Sequence, residues 1–229
     1  MIFYKQDGRL YEQVMKILSV NVGLPREVLF GEEIVTTGIF KEPVEGPVKL
    51  RKLNLDGDKQ ADLTVHGGED KAVYAYPMEH YDYWQRELPD IALPWGMFGE
   101  NFTTEGLMED SVNIGDSFHV GSAKIVATQP RMPCYKLGVK FGRTDIIRRF
   151  LASGRPGIYF KVLQEGQVEA GNLIELISKD ENNITVKDIV RLYVKGNKDV
   201  ESMQRAIRVK ALPIGWRYHF RHQIEQLAK

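Results

Sequence analysis

Val112-Asn113-Ile114-Gly115-Asp116-Ser117-Phe118-His119-Val120 and Ala123-Lys124-Ile125-Val126-Ala127 read as the two arms of a β-hairpin turning at Gly121-Ser122. The second arm delivers the chain to Gln129-Pro130-Arg131-Met132-Pro133-Cys134-Tyr135-Lys136-Leu137-Gly138, which holds the one cysteine of 229 residues. A proline precedes that cysteine, and a cation stands on either side, Arg131 and Lys136. Pro133 suits the first turn of a helix, so Cys134 is expected at or near a helix N-terminus. Unpaired N–H groups and the positive dipole end favour negative charge there. Such surroundings lower a thiol pKa and favour the thiolate, the form that attacks electrophiles or binds soft metals. The plainer alternative is a buried cysteine packing as a small hydrophobe.

Outward from the hairpin, short β-branched runs recur: 17–22, Glu32 to Thr36, Val48 to Leu53, Ala72 to Tyr76, Phe102 to Thr104, Ile158 to Leu163 and Leu173 to Ile177. Helical spacing puts Tyr81, Trp84 and Leu88 on one face of 78–88, an apolar stripe suited to core packing. Tyr135 to Phe141 and Ile146 to Leu151 read as helices, the second with Asp145 at its N-cap, and Gly166 and Gly171 bracket a turn. After 181 the strand-like runs stop. Thr185-Val186-Lys187-Asp188 has the spacing of a helix start, and two further helical stretches follow. The expected fold class is mainly β, a β-barrel with a small C-terminal three-helix subdomain. Its expected divisions are an N-terminal extension at 1–14, a β-barrel domain at 15–181 and a three-helix subdomain at 182–229.

Lys plus Arg and Asp plus Glu both number 31, a balance that argues against duplex nucleic acid as a partner. No apolar run is long enough for a membrane-spanning helix, and residues 1–14 carry charges where a secretory signal needs an apolar stretch. One cysteine makes no intrachain disulfide, and a reducing cytoplasm is the expected location. The chain has no phosphate loop of the GxGxxG or GxxxxGK[ST] type, no CxxC and no HExxH. His219 and His222, three apart on the last helical stretch, lack a third ligand and read as surface residues.

Two other loops carry chemistry. His66-Gly67-Gly68-Glu69-Asp70-Lys71 pairs backbone freedom with polar side chains, and Phe98-Gly99-Glu100-Asn101 sets an acid and an amide before a strand. Each also reads as a simple turn. Lys49 and Arg51 share a strand face, as cofactor ligands or as a solvated edge.

Taken together, His66 to Val73, Phe98 to Asn101, Ile114-Gly115-Asp116 and Gln129 to Lys136 resemble the signature blocks of MOSC domains (molybdenum cofactor sulfurase C-terminal), in that family's order. The likeness covers about 15–229 and is strongest to the YiiM-type members, stand-alone domains with a C-terminal three-helix extension. The resemblance implies a β-barrel that binds the molybdenum cofactor, Mo-molybdopterin, with Cys134 as catalytic residue and molybdenum ligand. It also implies cofactor contacts from Arg131, Lys136, His66, Gly67, Gly68, Asp70, Lys71, Gly99, Glu100, Asn101 and Gln129, to which charge spacing alone adds Arg51. The implied activity is reduction of N-hydroxylated compounds such as N-hydroxylated purine bases and amidoxime-like substrates. No flavin or nicotinamide motif is present, so electrons would come from a separate donor protein, a flavoprotein reductase. A homodimer is open.

Two rivals remain. One is a cofactor or sulfur carrier without turnover of its own. The other is a thiol-nucleophile enzyme with His66 or His119 as base, which needs that base within about 3 Å of the sulfur.

Overall fold

The structure is a computed structural model. It describes 3–6, 9–12, 14–62, 67–194 and 198–228, with only the backbone of 3–6, 9–12 and 194. In chain order, β1 (Phe3–Gln6) and β2 (Arg9–Glu12) pair only with each other. β3 (Lys16–Val22) follows, then β4 (Arg26–Phe30) and β5 (Glu33–Thr37), which form a second separate ribbon. β6 (Glu42–Val44), β7 (Val48–Leu50), β8 (Val73–Pro77), α1 (Glu79–Glu87) and β9 (Phe102–Glu105) come next. The hairpin is β10 (Ser117–Val120) and β11 (Ala123–Pro130), leading to α2 (Tyr135–Phe141) and α3 (Ile146–Ser153). The chain closes with β12 (Ile158–Gln164), β13 (Gly166–Val168), β14 (Ile174–Ser178), α4 (Val186–Val194), α5 (Val200–Arg208) and α6 (Ile214–Leu227).

The main sheet runs β14-β10-β11-β12-β8-β9-β3-β6, antiparallel at every pairing except β8 with β9. The expected closed barrel is not what these pairings make, because the ladder ends at β14 and β6. The chain entering β14 does return to β3: Ile174 N–H donates to Met15 O (2.8 Å) and Ile17 N–H to Asn172 O (2.9 Å). The contact stops at a single bridge, Lys16 with Leu173, because β6 pairs with β3 from Val20 to Val22.

β8 shows how the sheet organises the interior. Strand side chains alternate faces. Val73 and Ala75 enter a large apolar cluster shared by the sheet and α4–α6, while Tyr74 and Tyr76 enter an aromatic cluster with Trp84, Phe98, Phe141 and Phe150. Both faces are therefore covered, which is why all five residues are buried. The three C-terminal helices add Ile189, Leu192, Met203, Ala206 and Phe220 to the first cluster, each fully buried.

Local expectations held in part. Val120 pairs with Ala123 across Gly121-Ser122, as the turn chemistry requires. The first arm starts only at Ser117, since the Asp116 carboxylate accepts Asn113 N–H and Asp180 N–H (both 2.9 Å) and folds 113–116 into a turn. The expected turn at 166–171 contains β13, paired with β7. Thr185 and Asp188 cap α4 reciprocally: Asp188 N–H donates to Thr185 Oγ1 (3.0 Å) and Thr185 N–H to Asp188 Oδ2 (3.1 Å). Asp145 stands at the α3 N-cap but makes no side-chain cap bond, and its carboxylate is held by Arg143 (2.6 and 2.7 Å).

Candidate active site

β11 ends at Pro130, and the chain runs extended to Cys134, the N-cap of α2 (φ −120°, ψ 173°). Pro133 thus precedes the cap instead of occupying the first turn. Cys134 is half-buried and lines two adjoining spaces that also share Gly67, Lys71, Met132 and Tyr159. The inner space is narrow, about 100 Å³, and the outer one is wide, about 830 Å³.

Lys41, Lys71, Arg131 and Lys136 line the inner space, and among the described residues no carboxylate does. Arg131 is buried, donates to Phe98 O, and lies 4.9 Å over the Tyr74 ring and 5.6 Å over that of Phe150. Burial works against its charge, but Tyr74, Tyr159 and Cys134 favour it, and its proton is held above the usual guanidinium range. Burial lowers the Lys41 pKa despite its ion pair with Asp58.

The FGEN loop is held from behind. Glu100 is fully buried and accepts from Gly96 N–H (2.9 Å), Phe98 N–H (3.0 Å), Thr103 Oγ1 (2.9 Å) and the Tyr81 hydroxyl. Burial pushes its carboxyl pKa up. Asn101 accepts Tyr74 N–H (3.1 Å) and donates to Asp58 Oδ2 (2.9 Å), fastening the loop to β8 and to the Lys41 pair. Gly99, at φ +76°, lies against Ile39, where an added Cβ would come within 2.7 Å of the Ile39 side chain.

The outer space lies between the cysteine loop and the helices. Tyr193 of α4 and Trp216 and His219 of α6 line it. Gln129 links the two sides: its Oε1 accepts the Trp216 indole N–H (2.8 Å), and its Nε2 donates to Asp70 O (3.4 Å).

Of the expected site residues, Cys134, Arg131, Lys136, Lys71, Gly67, Gly99 and Asn101 meet at the inner space. Gly68, Asp70 and Gln129 line the outer one. Glu100 stands behind the wall as its brace. His66 lies outside the described residues. Arg51 does not come to the cleft, because Asp56 binds its guanidinium through two oxygens at an exposed turn. Lys49 is exposed on β7. His119 is exposed on β10 and lines neither space, so it supplies no base to the thiol. Lys41, Tyr74, Tyr159, Tyr193, Trp216 and His219 were not expected at the site. His219 read as a surface residue and the others carried no signal of their own; only the folded arrangement turns them toward Cys134.

The chain belongs to the MOSC domain family, which matches residues 62–175. It is 39% identical over 211 residues to the uncharacterized protein YflK of Bacillus subtilis, covering 92% of this chain and 95% of that protein. The crystal structure of YiiM from Geobacillus stearothermophilus superposes with a TM-score of 0.77 at 34% identity, covering 92% of this chain and 99% of that one. A Gibberella moniliformis protein named "Reductase" is 31% identical over 183 residues, 77% of this chain but 32% of its own length. With these likenesses the chain is a YiiM-type MOSC protein.

The residues present fit the cofactor that binds in this family. No cluster of three or more His, Cys, Asp or Glu able to hold a bare ion occurs among the described residues. Cys134 offers one sulfur ligand, which suits a metal that brings its other donors, as a dithiolene complex does. The cations of the inner space suit that cofactor's phosphate.

Proposed function

We propose that this protein is a molybdenum-cofactor-dependent reductase of N-hydroxylated compounds, with hydroxylaminopurines and amidoximes as the substrate class. The observation that carries this reading is Cys134 at the junction of a cation-lined inner space and an outer space large enough for a second small molecule. When bound, the cofactor supplies a metal centre that exchanges two electrons and accepts oxygen from the N–OH group. Cys134 would ligate the metal, while Arg131, Lys136, Lys71 and Lys41 would hold the anionic end. Arg131, fixed by Phe98 O and the Tyr74 ring, keeps positive charge beside the sulfur and favours its thiolate form. Gly67 and Gly68 leave room for close backbone approach, while Gly99 lets the FGEN loop pack against Ile39. The Phe98–Asn101 wall, braced by Glu100, shields one side of the site from water. Electrons would come from a separate flavoprotein.

The test is elemental analysis of protein made in a cofactor-competent host, followed by turnover of 6-hydroxylaminopurine with a chemical reductant. Near-stoichiometric molybdenum and conversion to adenine are expected, both lost in Cys134→Ala at unchanged melting temperature. Undiminished turnover in that variant overturns the role of the thiol. Molybdenum without turnover of any N–OH compound makes the protein a cofactor carrier.

A further inference from the structure

From the outer space we infer that Tyr193, Trp216 and His219 form a ring-binding subsite for a planar heteroaromatic substrate, setting specificity from the helical side of the cleft. This deepens, and rests on, the reductase reading. Three aromatic side chains from two helices meet there: the Tyr193 ring lies 5.1 Å from both the Trp216 ring and the His219 ring. Phe220, fully buried beneath, backs Trp216 at 6.0 Å and His219 at 5.5 Å. The Trp216 indole is held in plane by its bond to Gln129 Oε1, so its ring is oriented before any ligand arrives. Preorganised aromatic faces stack flat π-systems and give a saturated ring less.

His219 lines the same space, with its Nε2 enclosed in the helical packing and unpaired among the described residues, so it is the face of the ring that it offers. Burial also holds the His219 pKa below its ordinary value, so near neutral pH the ring is uncharged. An uncharged imidazole extends the flat surface that Tyr193 and Trp216 begin. The 830 Å³ volume accommodates a bicyclic ring while leaving its N–OH substituent near Cys134.

Adenine, which carries the ring without the N–OH group, reads this subsite without turnover. Calorimetric titration into the cofactor-loaded protein should show Trp216→Leu and His219→Ala each weakening adenine about ten-fold, with Trp216→Phe, which keeps a ring but loses the Gln129 bond, falling between. Selectivity in kcat/KM for 6-hydroxylaminopurine over N-cyclohexylhydroxylamine should fall by a similar factor in Trp216→Leu. Should that variant not fold, Tyr193→Leu carries the same test, since Tyr193 is 41% exposed. Unchanged adenine affinity and selectivity overturn the subsite while leaving the reductase reading standing. Molybdenum lost from Trp216→Leu would put the cofactor against this wall and also overturns it. Trp216-dependent adenine binding without reduction of any N–OH compound upholds the subsite and sinks the reductase reading.

Discussion

On the inner wall, Lys41, Asp58, Asn101, Glu100 and Arg131 are tied into one network of ion pairs and hydrogen bonds. On the outer wall, aromatic rings stand half-exposed and His219 Nε2 has no partner. The same Cys134 borders both. The contrast separates two tasks. A wall braced from behind by paired polar groups is rigid, which suits one fixed guest held by the cations in front. A wall of half-exposed rings suits flat guests that come and go.

The contrast breaks most readily at Glu100. Glu100→Ala strands Gly96 N–H, Phe98 N–H and the Thr103 and Tyr81 hydroxyls in the interior, so a loss of roughly 4 kcal/mol is expected in denaturant midpoints. If the network is as tight as its bonds suggest, the cofactor should leave with it.

Asp58→Asn comes next, at roughly 3 kcal/mol near neutral pH, because Lys41 stays buried without its counter-ion. Its deficit should shrink as pH rises. Burial already holds the folded Lys41 pKa below 10.5, and losing Asp58 lowers it further. Between the folded pKa and 10.5 the unfolded chain binds more protons, so stability climbs with pH there. A flat profile would mean Lys41 is not desolvated.

A smaller effect tests the footing of the outer wall. Asp199 caps α5, accepting Ser202 N–H (2.9 Å), and that bond holds its carboxyl pKa at about 2. Asp199→Ala should cost about 1 kcal/mol above pH 4. The gap should close as pH falls through 2, where the wild-type carboxylate protonates too. Smallest of all is His219→Phe. It replaces an enclosed, unpaired polar ring by an apolar one, so melting should be unchanged or up to about 1 kcal/mol more stable while adenine binding is kept. A large loss of stability would show that the outer wall is structural after all.

Much of this was legible in advance. The hairpin turn, the cap at Thr185 with Asp188, the three C-terminal helices and the Cys134 loop follow from local rules, each acting over a few residues. The barrel did not follow, because whether β14 meets β6 depends on which strand occupies the β3 edge, a long-range competition that no local pattern records. Arg51 failed for the opposite reason: its partner Asp56 lies five residues away in the adjacent turn, and that local ion pair keeps the guanidinium from the cleft. Glu100 was placed in the right loop but given the wrong task, since its full burial with four donors is a tertiary fact. His219 read as a surface residue and Trp216 as one more residue of a helical stretch, because helical periodicity marks a face without saying what faces it.

The bond from Trp216 to Gln129 joins positions 87 residues apart. It ties α6 to the strand that leads into the Cys134 loop, so the outer space keeps its helical lining only while that helix stays docked. Gln129→Ala should therefore raise amide exchange along 214–227 and leave the cations of the inner space where they are.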